Sequence, residues 1–122
     1  TKRVLESSGV QNTNENILLI DPLGYIDFIK LVKNSKLVLT DSGGIQEETT
    51  YLKISCLTLR DNTERPITCE VGTNKLIGTN YNKIAEECFN QIENPKQNSQ
   101  IPPFWDGLTS KRIVEKIINL FN

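Results

Sequence analysis

The stretch "LTDSGGIQEE", Leu39 to Glu48, sets an acid, a hydroxyl and two glycines between a run of aliphatics and residues that read as a helix. Two readings fit it. In one it is a strand-to-helix turn, with Ser42 capping the helix and Gly43 and Gly44 easing the bend. In the other it is a phosphate cradle, because the first N–H groups of a helix lack intrahelical acceptors and favour anions. Glycine suits the cradle since a Cβ there would hold a phosphate away from the backbone. The helix end would contribute on the order of 0.3–1 kcal/mol to a nearby anion, and the Ser42 hydroxyl adds a donor. Glu48 lies one turn beyond Gly44, placed to reach past a phosphate to a sugar, and a carboxylate accepts two hydroxyl hydrogen bonds. Glu47 is assigned to the helix dipole, which acids in a first turn stabilise.

A second polar segment, Arg60 to Pro66, carries two arginines five residues apart, and arginine suits bidentate contact with phosphate. For Arg60 a surface ion pair with Asp61 or Glu64 is the stronger expectation. Phe28 reads first as a core residue of its helix, and Trp105 as a packing residue where the last helix starts. Histidine is absent, which removes a His-based zinc site, a Ser-His-Asp triad and a histidine base from this chain. The three cysteines, Cys56, Cys69 and Cys88, form no C-x-x-C pair. They read as small hydrophobes in a reducing compartment. No metal and no cofactor is expected.

The 122 residues suffice for one domain with a core of its own. A net charge of −1, with no basic stripe, argues against nucleic acid as a partner. No apolar run approaches the roughly 18 residues of a membrane span. The chain opens on Thr1 with no apolar segment of a signal peptide, which points to the cytoplasm and to a piece of something longer.

The elements that must position these residues follow from periodicity. Residues 1–9 read as the end of a helix stopped by Gly9. Ile17 to Ile20 reads as a strand buried on both faces, ended by Asp21-Pro22. A helix is expected over Tyr25 to Asn34, a strand at Leu37 to Leu39, a helix from about Gly44 to Leu52, and a strand at Ser55 to Leu59. After the loop from Arg60 to Gly72 come a short strand at Lys75 to Ile77 and a helix from Tyr81 to about Glu93. The last helix, after Trp105-Asp106-Gly107, places Ile113, Val114, Ile117, Ile118 and Phe121 on one side. Short apolar strands alternating with helices call for an α/β fold, a Rossmann-like parallel sheet with helices on both faces. Ligands of such sheets sit at the carboxyl ends of the strands. There the segments 21–24, 41–44 and 60–66 should converge.

The motifs "TDSGGIQEE", "TLRDNTERP", "VGTNKLIG" and "PPFWDGLTSKRIVEKI", preceded by "IDPLGYIDFIKLVKNSKLVLTDSGG", resemble the carboxyl-terminal domain of the non-hydrolysing UDP-N-acetylglucosamine 2-epimerases. The resemblance extends from Ile20 onward. It implies half of a two-domain fold of the glycosyltransferase-B type, with residues 1–122 as the UDP-binding domain and the amino-terminal domain absent. Carried over by position, Ser42, Gly43 and Gly44 would hold the diphosphate, Glu48 the ribose hydroxyls and Arg65 the rest of the nucleotide site. The turn around Leu23 and Phe28 would seat the uracil. The reaction implied is elimination of UDP and its re-addition with inversion at C2, interconverting UDP-N-acetylglucosamine and UDP-N-acetylmannosamine. No catalytic residue of that reaction is assigned to this chain. The parent would be a homodimeric enzyme of polysaccharide biosynthesis. A UDP-sugar glycosyltransferase of the same fold and a stand-alone nucleotide-binding module are the alternatives. Two positions depart from the family pattern. Lys53 stands where a glycine would end the helix, so a left-handed cap there would be strained by roughly 1 kcal/mol. Thr49 stands where Ala is common.

Overall fold

A computed structural model describes Ser7 and residues 14–121. Their elements are α1 (Tyr25–Lys33), β1 (Val38–Thr40), α2 (Gly43–Leu52), β2 (Cys56–Thr58), α3 (Pro66–Glu70), β3 (Asn74–Leu76), α4 (Tyr81–Glu93) and α5 (Thr109–Phe121). The strands form one parallel sheet in the order β1-β2-β3, with Val38, Cys56 and Asn74 in register. Successive side chains of a strand point to opposite faces. Cys56, Leu57 and Thr58 are all fully buried, so both faces of the central strand are covered. The α/β reading with a helix-covered parallel sheet therefore holds.

The expected strand at Ile17 to Ile20 does not form. These residues lie outside any strand, and their side chains are 48–83% exposed. An apolar run reports that a segment belongs in a core, whereas a strand needs an edge to pair with. Among the described residues β1 is paired only with β2, and its other edge meets no strand. The helix expected over residues 1–9 lies outside the described residues apart from Ser7. In the other direction, α3 occupies five residues of what the sequence read as loop. Pro66 opens it, at a position where a missing N–H costs nothing.

Among the described residues the core holds few apolar side chains, with Val32, Cys56 and Leu57 buried. Beside them sits a buried polar hub on Asn74. Its Oδ1 accepts from Thr58 Oγ1 at 2.7 Å, and its Nδ2 donates to Thr68 Oγ1 at 3.1 Å and Gln46 Oε1 at 3.2 Å. One side chain thereby ties β2, β3, α2 and α3 together. The hub satisfies groups that would each cost about 1–3 kcal/mol if left unpaired. The apolar stripe of α5 is present as expected, but every residue of that helix is at least partly exposed.

Two cap positions matter for the site. Ser42 is the N-cap of α2, with φ −83° and ψ 127°, yet its side chain makes no capping hydrogen bond. Lys53 ends α2 in the left-handed region, at φ 58° and ψ 35°. The Ile54 N–H reaches back to the Thr49 carbonyl at 2.9 Å across that turn. The strained cap expected from Lys53 is thus the one observed.

Candidate nucleotide site

The carboxyl end of β1 feeds directly into α2. The Ser42 N–H donates to Thr40 Oγ1 at 3.1 Å, fixing the bend, and Gln46 N–H returns to the Ser42 carbonyl at 3.3 Å. By helix geometry the N–H groups of Gly43, Gly44 and Ile45 are then left without intrahelical acceptors. The surroundings of the two glycines bear on both readings of this turn. Neither has a positive φ. A Cβ on Gly43 would meet nothing within 4 Å, and one on Gly44 would approach only Ser42 Oγ at 4.0 Å. At Gly72, by contrast, a Cβ would run into Thr50 at 2.5 Å and the Thr68 carbonyl at 2.6 Å. Packing explains Gly72. Neither the bend nor the packing calls for Gly43 or Gly44, and what their missing Cβ atoms leave is open space over free N–H groups.

One turn further along α2, Glu48 is half-buried, and its Oε2 is buried with no hydrogen-bond partner. It lines a cavity of about 560 Å³ together with Tyr25, Ile29, Glu47, Tyr51 and Trp105. Trp105 thus faces a cavity as well as the approach to α5. A buried carboxylate oxygen without a donor is a group that a hydroxyl-bearing ligand would satisfy.

Glu47 departs from expectation. Helix α2 begins at Gly43, so its first turn holds no acid, and neither Glu47 nor Glu48 caps the dipole there. Glu47 instead pairs with Arg65, its Oε1 lying 2.6 Å from Nε. The arginine roles also differ from the reading of the loop. Arg60 makes no ion pair with Asp61 or Glu64, and Glu64 lies 3.9 Å from Arg65 Nη1.

The backbone at Arg65 is fixed by residues that the sequence did not single out. Gln46 is fully buried, and its Oε1 accepts from Thr63 Oγ1 at 2.6 Å. Thr63 Oγ1 in turn accepts the Arg65 N–H at 3.0 Å. The Arg65 carbonyl takes Thr68 Oγ1 at 2.7 Å. A helix interior, a loop hydroxyl and the start of α3 therefore locate one residue. The only sequence signals for it were a glutamine and a threonine in otherwise polar stretches.

Of the remaining expected residues, Leu23 is exposed in the segment before α1. Phe28 is half-buried and lines a separate cavity of about 320 Å³ with Val32, Leu39, Thr40 and Ile45. Phe28 and Glu48 therefore face different clefts. Segments 41–44 and 60–66 both leave strands at the carboxyl edge, and the Glu47–Arg65 pair joins α2, which follows the first, to the second. Segment 21–24 leaves no strand. Among the described residues no three of His, Cys, Asp or Glu gather as a metal site, and no helix is long and apolar enough to cross a membrane. All three cysteines are free thiols, and burial pushes those of Cys56 and Cys88 upward. That keeps both protonated and poorly nucleophilic.

The family model described as UDP-N-acetylglucosamine 2-epimerase matches residues 1–118. The chain belongs to the UDP-N-acetylglucosamine 2-epimerase family. Its relatives include the UDP-N-acetylglucosamine 2-epimerase of Methanocaldococcus jannaschii, 48% identical over 102 residues, covering 84% of this chain and 27% of that protein. The Escherichia coli epimerase is 38% identical over 109 residues, covering 86% of this chain and 29% of the relative. Among solved structures, that of the M. jannaschii enzyme in complex with UDP-GlcNAc and UDP superposes with a TM-score of 0.81 at 43% identity. It covers 98% of this chain, which accounts for 33% of the solved one. The chain thus spans about a third or less of the epimerases it matches.

Proposed function

We propose that this chain is the carboxyl-terminal, UDP-binding domain of a UDP-N-acetylglucosamine 2-epimerase. In this reading the whole protein interconverts UDP-N-acetylglucosamine and UDP-N-acetylmannosamine by eliminating UDP and adding it back at inverted C2. An amino-terminal domain forms the other wall of the cleft in a glycosyltransferase-B arrangement and brings the catalytic acids. The whole protein works as a cytoplasmic homodimer in polysaccharide biosynthesis. Ser42, Gly43 and Gly44 hold the diphosphate, Arg65 adds charge to it, and Glu48 accepts from the ribose hydroxyls. Leu23 and Phe28 flank the uracil.

The observation that carries this reading is the open start of α2, where two glycines stand that neither backbone conformation nor packing requires. The unpartnered Glu48 oxygen supports it, as does the M. jannaschii relative solved with UDP-GlcNAc and UDP. A glycosyltransferase role has no comparable support, since the relatives described above are epimerases. Calorimetric titration with UDP, UMP and uridine tests the assignment. UDP should bind without added metal and more tightly than uridine, and Gly44→Val should remove that preference while the fold is kept. Glu48→Gln should weaken UDP by roughly 1–3 kcal/mol, the range for lost hydrogen bonds to a charged group. Equal affinity for UDP and uridine would sink the diphosphate cradle. An assay of the full-length protein for C2 epimerisation tests the reaction.

A further inference from the structure

Arg65 is held at two levels. Its backbone is fixed by Thr63 and Thr68, and its side chain by Glu47 at Nε and by the Glu64 carbonyl, 3.3 Å from Nη1. A guanidinium carries five N–H donors in one rigid plane. With the Nε side occupied, Nη2 is left with no hydrogen bond among the described residues. Glu47 stands four residues beyond Gly43, one turn along the same face of α2. The ion pair therefore draws the guanidinium onto the helix face that begins with the free N–H groups.

An acid beside a site for a dianion has an electrostatic cost, because its charge repels the ligand. Its presence calls for a compensating role, and the geometry supplies one. A free arginine side chain loses rotamer freedom when ordered. A guanidinium already ordered by a partner on its far edge presents its remaining donors with less to lose on binding.

We propose that Glu47 is a positioning residue for Arg65, gripping Nε so that the opposite edge of the guanidinium faces the diphosphate at the start of α2. The proposal rests on the nucleotide reading above. It makes a prediction of sign: removing the Glu47 charge weakens UDP binding, although simple electrostatics says it should strengthen it.

The test compares wild type, Glu47→Gln, Arg65→Gln and the double variant by calorimetry with UDP and uridine. Glu47→Gln should lower UDP affinity by about two- to fivefold, the span open to a half-exposed ion pair, with uridine affinity unchanged. In the Arg65→Gln background the same substitution should cause no loss. A purely structural role would instead lower both affinities and persist without Arg65. UDP binding that Glu47→Gln strengthens or leaves unchanged overturns the positioning role alone. Failure of the wild-type protein to bind UDP sinks the nucleotide reading and this proposal together.

Discussion

Thr63 Oγ1 donates to Gln46 Oε1 at 2.6 Å, joining the second half of the β2–α3 loop to the buried interior of α2. The same hydroxyl oxygen accepts the Arg65 N–H, so one small side chain links the helix that begins at the candidate phosphate cradle to the arginine expected to serve it. Gln46 has little slack, since its Nε2 is already buried without a partner.

Thr63→Val keeps the shape and removes the link. The variant should lose about 1–2 kcal/mol of stability in urea denaturation, because Gln46 Oε1 is left with Asn74 as its one donor and the Arg65 N–H loses its acceptor. UDP affinity should fall as well, through the displaced arginine. A variant as stable as wild type with unchanged UDP affinity would show that the loop is held by something else.

Lys53 offers a change of opposite sign. A non-glycine residue at φ 58° costs roughly 1 kcal/mol from the contact of its Cβ with the following carbonyl. Lys53→Gly should raise stability by up to about 1 kcal/mol, offset in part by the greater freedom of glycine in the unfolded chain. It should leave UDP binding untouched, since the cap lies at the far end of α2 from Gly43. A loss of stability would mean that the lysine side chain makes up for the strain in some other way.

These cases show what the sequence could and could not carry. Helix periodicity was legible: the helix expected over Tyr25 to Asn34 is α1, and the one from Tyr81 to Glu93 matches α4 at both ends. The left-handed cap at Lys53 was also legible, because the wrong residue type at a known kind of position advertises its strain. Ile17 to Ile20 misled because hydrophobicity does not name a pairing partner. Gln46, Thr63, Thr68 and Asn74 were invisible for a related reason. A buried or half-buried polar residue looks like a surface one until the donors and acceptors that satisfy it are in place. Of the candidate site, Ser42, Gly43, Gly44 and Glu48 stand on one helix and could be placed by counting. The Glu47–Arg65 pair spans two elements, and counting along the chain does not reveal it.

Acid should loosen the segment before α5 in a specific window. Arg112 donates to both carboxylate oxygens of Asp106, at 3.0 and 2.8 Å, and Leu108 N–H adds a third hydrogen bond at 2.9 Å. The Arg112 hydrogen bonds, and after them that of Leu108, hold the Asp106 carboxyl at about 2, below its ordinary 3.8. A folded-state value below the unfolded one means that the interaction stabilises fully above about pH 4 and is lost as pH falls toward 2. Arg112 also donates to the Phe104 carbonyl at 2.9 Å and lies 5.1 Å from that ring's centroid, so the clamp spans residues 104–112. Thermal melts from pH 5 to pH 2 should fall more steeply for wild type than for Asp106→Asn. Parallel curves would show that the pair contributes nothing to folding.

The 122 residues alone should not epimerise a UDP-sugar, even though they carry the residues assigned to the nucleotide. Removing the proton at C2 requires a base within hydrogen-bonding reach of it, and expelling UDP requires a group that assists its departure. The chain holds no histidine. Its acids nearest in sequence to the start of α2 are Asp41, exposed on the turn, Glu47, tied to Arg65, and Glu48, assigned to the ribose. Holding the diphosphate steadies substrate and departing UDP to similar extents, which gives affinity rather than rate. Deuterium incorporation at C2 of UDP-N-acetylglucosamine in heavy water is the sensitive readout, because it registers proton removal even when no epimer is released. The chain should give the rate of the protein-free control. Exchange above that control, abolished by Glu48→Gln, would make Glu48 the base and remove it from the ribose.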